Sequence, residues 1–205
     1  MSESSNDNQS AESLSGELYS YCRSDSLSED GLREIIERHG LTPNNSIPNI
    51  TDYDFFFWAC HNERVTEGII QYLLQYFPAA ASATNENGQS PLHFACNNTN
   101  VALNIVQLLV DAAPNSVRSV NNNGRLPLHS LCANKNLGGT ATMQILKLLL
   151  EKYPEAVRHA TNNGNLPTNH ACAWRSLEFC RALIEAYPGS ERTSDTKGSL
   201  PLHFA

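Results

Sequence analysis

The sequence predicts an all-α fold, a solenoid of stacked helix-turn-helix repeats joined by β-turn connections. Three kinds of residue recur with a common spacing. Five of the six cysteines are separated by 38, 36, 36 and 40 residues: Cys22, Cys60, Cys96, Cys132 and Cys172. Glycines and prolines keep the same step: Gly88, Gly124, Gly164, Gly198, Pro78, Pro114, Pro154 and Pro188. Such a period indicates repeats that bury their apolar faces only against their neighbours.

The composition suits a folded chain and makes several functions unexpected. The 205 residues are 40% hydrophobic and 17% charged, with a net charge of −7. The 14 lysines and arginines are scattered, so we expect no nucleic acid partner. No apolar stretch approaches the length of a membrane span, and the polar N-terminus does not resemble a secretory signal. The expected location is cytoplasmic, with the nucleus as the alternative.

The N-terminal quarter follows the repeat pattern weakly. Residues 1–14 are polar and acidic and predict a disordered leader. Residues 15–48 predict a degenerate capping pair of helices, the polar terminal unit that keeps a solenoid soluble. Residues 49–84 predict a divergent first repeat with an aromatic run at Phe55–Trp58. We expect this run to fill the junction with the N-terminal helices, although Trp58 stands at a position that borders the exposed face in later repeats.

The best-formed repeat spans residues 85–120. Its turn at residues 85–88 contains Gly88, which can adopt positive φ. Ser90 followed by Pro91 is typical of a helix start. An apolar segment at residues 105–110 then predicts a second helix, which ends at a proline.

The remaining repeats vary this plan. Residues 121–160 predict a third repeat with a four-residue insertion around Gly138 and Gly139, expected to lengthen the turn between its helices. Residues 161–194 predict a fourth repeat with a shorter turn. Residues 195–205 predict a truncated fifth repeat that stops within its first helix. We interpret this stop as a fragment of a longer array, or as an open end that a partner covers.

Three segments carry a family resemblance. Residues 89–96 (QSPLHFAC), 125–132 (RLPLHSLC) and 199–205 (SLPLHFA) resemble the T-P-L-H-x-A signature of ankyrin repeats. The resemblance implies an ankyrin-type solenoid. Leucine replaces the capping threonine at positions 126, 166 and 200, so these helices lack the usual N-cap side chain. Asn169 stands where the signature has histidine.

Histidine and cysteine side chains are the candidates for chemistry. His93 with Cys96, and His129 with Cys132, have the i, i+3 spacing of two ligands on one helix. Pairs that lie one repeat apart do not converge on one tetrahedral ion, so we expect no metal and no other cofactor. A Cys/His-dependent enzyme is a remote alternative, because thiols at a repeated core position are expected to be inert. The resemblance implies a structural role for the signature histidines.

The resemblance also implies a binding surface formed by the concave face and the turn tips. On the first helices the corresponding residues are His61, Asn62, Asn97, Asn98, Asn134 and Trp174. On the tips they are Asn87, Gln89, Asn123, Arg125, Asn163 and Asn165. Trp174 is the strongest candidate because tryptophan is enriched at binding hot spots. The alternative is that Trp174 packs beside the shortened turn of its own repeat.

The sequence therefore predicts a non-catalytic scaffold or adaptor that binds an unidentified protein partner, with no small-molecule substrate. One alternative is the targeting module of a longer multidomain protein, with an enzyme or channel downstream. Because many unrelated functions share such scaffolds, the fold alone does not identify the partner.

Overall fold

The computed structural model describes residues 3–42, 50 and 52–205. These ranges contain ten α-helices and no strand. The helices are α1 Glu3–Cys22, α2 Glu29–Arg38, α3 Asp54–His61, α4 Glu67–Tyr76, α5 Pro91–Asn97, α6 Leu103–Ala112, α7 Pro127–Ala133, α8 Gly139–Lys152, α9 Pro167–Trp174 and α10 Leu177–Ala186. Short 3-10 helices lie at Pro78–Ser82, Pro114–Arg118, Pro154–Arg158, Ser190–Arg192 and Pro201–Phe204.

The helices form two layers, which confirms the predicted solenoid. The odd-numbered helices α1 to α9 contact one another in chain order, and the even-numbered helices α2 to α8 do the same. One continuous apolar core runs between the layers from Leu14 to Leu183. In the described part of the chain, no helix combines the length and the apolar character needed to cross a membrane.

Local sequence signals fix where each repeat begins. Pro91, Pro127 and Pro167 are the first residues of α5, α7 and α9, as predicted. In the preceding turn Gly124 has a φ of 73°, and a Cβ there would lie 2.6 Å from the backbone nitrogen of Asn162 in the next turn. Glycine is therefore required both for this backbone conformation and for the close approach of adjacent repeats.

The leucines that precede the prolines provide no capping side chain, but their own backbone N–H groups are hydrogen-bonded. The side chain three residues later accepts a hydrogen bond from the leucine backbone N–H in each case. The acceptors are His129 Nδ1 for Leu126 at 3.1 Å, Asn169 Oδ1 for Leu166 at 2.9 Å, and His203 Nδ1 for Leu200 at 2.9 Å. This bond is the reciprocal half of a capping box, and Asn169 replaces the histidine in it. The bond from an N-cap side chain is missing at all three leucines, as expected.

Two predictions about the chain organisation are wrong. Residues 3–14 are helical rather than disordered, because α1 continues from a segment anchored by buried Leu14 and Leu18, and extending a helix costs less than starting one. The insertion near Gly139 lengthens a helix and not a turn. Helix α8 has 14 residues where α6 has 10, and the turn before α8 spans residues 134–138, as long as 98–102 before α6.

The repeat boundaries stay a prediction. The predicted junction between the capping pair, 15–48, and the divergent repeat, 49–84, falls on residues 43–49 and 51, outside the described residues. Trp58 of the aromatic run packs at the junction with the N-terminal helix, whereas Phe57 stacks on Phe94 of the next repeat. Phe55, Phe56 and Phe57 are buried, and half-buried Trp58 packs edge-on against Tyr19 of α1 at a ring-centroid distance of 6.5 Å.

Candidate protein-binding groove

An elongated groove of about 790 Å³ crosses four repeats. It is lined by the C-terminal ends of α1, α3, α5, α7 and α9 and by the loops that follow. Five of the predicted binding residues line it: His61, Asn62, Asn97, Asn134 and Trp174. An adjoining cavity of about 200 Å³ shares His61 and Asn97 and adds Gln89 and Arg125 from the turn tips. We refer to the two cavities together as the groove.

The N-terminal half of the groove has an aromatic wall. The Trp58 ring lies 5.8 Å from the His61 ring, and the His61 ring lies 6.1 Å from Phe94 of the next repeat. The guanidinium of Arg23 lies 4.6 Å from the centroid of Trp58. This wall offers apolar surface beside a positive charge.

Trp174 forms the other end of the groove. It is 56% exposed, which agrees with a surface role and not with packing beside the shortened turn. The ammonium of Lys135 from the preceding repeat lies over its ring, at 5.6 Å from the centroid. Trp58 and Trp174 are the two tryptophans of the protein. Both lie in the groove, at opposite ends of it.

Asn98 and Asn134 are buried, so their predicted exposure to a partner is wrong. The Nδ2 group of Asn98 donates to the backbone oxygens of Cys60 and Asn62, at 3.0 and 2.9 Å. Asn134 makes the same two bonds one repeat later, to Cys96 at 3.2 Å and Asn98 at 2.9 Å. A buried amide that bridges two backbones is better explained by structure than by recognition.

Half-buried Asn62 begins this series. Its Nδ2 group donates to the backbone oxygens of Cys22 and Ser24, both at 2.9 Å. The three asparagines therefore connect α1 to the first repeat, the first to the second, and the second to the third. We call Asn62, Asn98 and Asn134 the asparagine ladder.

The ladder stops where Trp174 occupies the next position in the series. The turn there is only two residues long, 175–176, and Arg175 replaces the missing asparagine. The Nε group of Arg175 donates to the backbone oxygen of Leu131 at 3.1 Å, and its terminal nitrogens bond Leu131 and Leu137. Because Arg175 takes over the structural bonds, Trp174 is left on the surface.

The turn tips are connected in a similar way. The backbone N–H of Asn122 donates to the oxygen of Asn87 at 2.9 Å, and that of Asn162 donates to the oxygen of Asn123 at 3.1 Å. The predicted tip residues Asn87, Asn123, Arg125 and Asn163 are exposed, while Gln89 and Asn165 are half-buried. The exposed side chains at the tips therefore extend from turns whose backbones are hydrogen-bonded to one another.

The histidine–cysteine pairs lack the properties of a nucleophile. Burial raises the pKa of Cys96 to about 12 and lowers the pKa of His93. Burial also raises the pKa of Cys132 and lowers that of His129 to about 3, with His170 and His159 adding to the lowering. A thiol of high pKa next to a weak base carries little thiolate. Among the described residues, no group of three His, Cys, Asp or Glu side chains could hold a metal ion.

Thiol reactivity is expected to divide the six free cysteines into two classes. Cys22, Cys60, Cys96 and Cys132 are buried, whereas Cys172 and Cys180 are half-buried. In native protein at pH 8, we expect Ellman's reagent to modify Cys172 and Cys180 first, and the other four only on unfolding. Cys172→Ser/Cys180→Ser is the control and should remove the early phase. Rapid modification of Cys96 or Cys132 would instead support a reactive Cys–His pair.

The fold and the groove define a helical repeat protein with an extended grooved surface. Comparison with protein-family models gives matches to ankyrin repeats (3 copies) over residues 30–116 and 56–152. These matches span more than half of the chain, so the protein belongs to the ankyrin repeat family. Ankyrin repeats are generally protein–protein interaction modules and are typically non-catalytic. Among curated proteins, none matches the chain.

Proposed function

We propose that this protein is a non-catalytic scaffold or adaptor that binds a partner protein through the groove. The observation that carries the proposal is the exposure of Trp174 at one end of a groove that has Trp58 at the other. Large aromatic residues at such positions dominate many protein interfaces. The raised thiol pKa values favour this function over the Cys/His enzyme.

The hydrogen bonds between repeats support rigid binding. The asparagine ladder holds the loops on one side of the groove, and the backbone bonds between tips hold the other side. A surface that is already ordered loses little conformational entropy when a partner binds. A targeting module of a longer protein would use the same groove, so the experiment below applies to it as well.

Trp174→Ala is expected to abolish capture of the partner without loss of helix. The full chain, the Trp174→Ala variant and a Leu177→Ala control would each be immobilised, and the retained proteins quantified by mass spectrometry. Leu177 is a matched control because it is 76% exposed and lies outside the groove. We expect a set of proteins that the wild type and Leu177→Ala retain and Trp174→Ala does not, with unchanged circular dichroism.

Two results would contradict the proposal. Retention of the same proteins by Trp174→Ala would show that the groove is not the binding surface. A parallel loss of binding and of helical signal would show that Trp174 supports the fold.

A further inference from the structure

The charge of the groove is opposite to that of the chain. The whole sequence has 21 acidic and 14 basic residues. The groove is lined by four cations, Arg23, Arg64, Arg125 and Lys135, and by two carboxylates, Asp25 and Glu63. An excess of positive charge in the main cleft of an acidic protein attracts anionic partners.

The four cations are available to a ligand. Within residues 3–42, 50 and 52–205, the ion pairs involve Arg38, His39, Arg158 and Arg192, and none of the groove cations. Of the two carboxylates, Glu63 already accepts a hydrogen bond from the Thr99 hydroxyl at 2.9 Å. The two carboxylates offset two of the four cations, so the lining of the groove keeps an excess of two positive charges.

Each end of the groove combines a cation with a tryptophan. Arg23 lies over Trp58 and Lys135 lies over Trp174, at 4.6 and 5.6 Å from the ring centroids. A carboxylate can pair with the cation while a neighbouring apolar side chain packs on the ring. Each end can thus recognise an acidic residue next to an apolar one.

The middle of the groove fits an extended backbone. Its first-helix residues there are small or neutral: Asn97, Ser130 and Ala133. Small side chains allow a peptide to approach closely, and an amide can donate to and accept from peptide groups. Three helix spacings of about 8–10 Å separate α3 from α9. An extended chain at about 3.3 Å per residue covers that distance with about eight residues.

We infer that the groove binds an extended acidic peptide segment of about eight residues, with an apolar side chain near each end that packs on Trp58 and Trp174. This inference rests on the proposed function and adds the chemistry of the partner. The attraction comes from Arg23, Arg64, Arg125 and Lys135, and the apolar anchors fix the register.

Selection from a phage-displayed library of random 12-residue peptides, on the immobilised full chain, tests this chemistry. We expect the selected peptides to be enriched in Asp and Glu and to carry two apolar residues about seven positions apart. Synthetic copies should change the fluorescence of the protein, whose two tryptophans both lie in the groove. Their affinity should fall as salt is raised.

A charge-reversal pair provides the control. Lys135→Glu should weaken binding of the selected peptide about tenfold, because an attraction becomes a repulsion. Lys147→Glu makes the same charge change on an exposed residue of α8 outside the groove and should leave affinity unchanged. Equal weakening by both variants would indicate a general charge effect and would overturn the inference.

The outcomes separate this inference from the proposed function. Basic or neutral peptides whose binding is lost in Trp174→Ala would overturn the acidic chemistry and leave the groove as the binding surface. Selected peptides that bind Trp174→Ala as well as wild type would contradict both. Light scattering would detect a dimer of the wild-type protein. If the Lys135→Glu variant is instead a monomer, the groove binds a second copy of the chain, and the inference of a peptide ligand is overturned.

Discussion

Asn98→Ala is expected to lower the free energy of unfolding by about 2–4 kcal/mol, because it removes a buried bridge between two repeats. Asn98 donates to two backbone oxygens of the preceding repeat, and its Oδ1 accepts from the N–H of Asn100 at 2.8 Å. Alanine leaves these three groups without that partner. Urea unfolding followed by circular dichroism measures the effect.

The adjacent residue provides the control. Asn97 has the same side chain but is exposed, so Asn97→Ala should change the unfolding free energy by no more than about 0.5 kcal/mol. Asn98→Asp keeps the acceptor and loses both donors, so we expect it to destabilise at least as much as Asn98→Ala. Similar stabilities for Asn97→Ala and Asn98→Ala would show that the ladder does not hold the repeats together.

The ladder has a further consequence for unfolding because repeats contact only their neighbours. In a solenoid, stability is approximately the sum of the repeat stabilities and of the interfaces between them. The bonds of Asn98 belong to one interface, between the first two repeats. Weakening that interface is expected to separate unfolding of the N-terminal helices from unfolding of the rest.

The fold could be predicted from the sequence because its signals are local. Glycine at the turns and proline at the helix starts have backbone requirements that do not depend on distant residues. The insertion near Gly139 was placed wrongly because a longer turn and a longer helix fit the same local pattern. The structure adds a helical turn, in which Thr142 is buried and donates to the backbone oxygen of Leu137 at 3.2 Å.

The candidate site was only partly predictable, because the exposure of a side chain depends on the direction that the backbone takes in the folded chain. Helix α5 ends at Asn97, and Asn98 adopts an extended backbone with φ −74° and ψ 137°. This change of direction turns one amide toward the preceding repeat and leaves the other in the groove. Residue type and helix periodicity do not distinguish the two.

A signal for the ladder was nevertheless present in the sequence. Asparagine follows three of the core cysteines, Cys60, Cys96 and Cys132, by two residues, at positions 62, 98 and 134. A polar residue that recurs at the same position in successive repeats indicates a bond between repeats, whereas recognition residues vary. The break at Trp174 then marks the position whose side chain is exposed and makes no such bond, which is why we propose it as a contact for the partner.

Acidification is expected to destabilise the protein through buried His129 of the third repeat and half-buried His170 of the fourth. Burial lowers the pKa of His129 to about 3, and burial with the nearby charge of Arg125 lowers the pKa of His170 to about 4. The two rings are 5.7 Å apart, and His159 lies 5.9 Å from His129. In the unfolded chain the pKa values of His129 and His170 are near their ordinary value of 6.5.

The direction of the effect follows from proton uptake. Below pH 6.5 the unfolded chain binds a proton at His129 that the folded chain does not bind. The contribution of neutral His129 to the free energy of unfolding is therefore fully present above pH 6.5 and is lost as the pH falls toward 3. At pH 5, which is about 1.5 units below the unfolded pKa, His129 alone should cost about 2 kcal/mol.

The fourth repeat supplies the variant that isolates this effect. Asn169 accepts a hydrogen bond from the backbone N–H of Leu166 as His129 accepts one from Leu126, so His129→Asn keeps this bond and removes the titrating ring. Comparing urea unfolding at pH 7 and pH 5, we expect the wild type to lose about 2 kcal/mol more than the variant. Parallel pH profiles would mean that folded His129 is protonated as readily as a histidine in water, which its burial opposes.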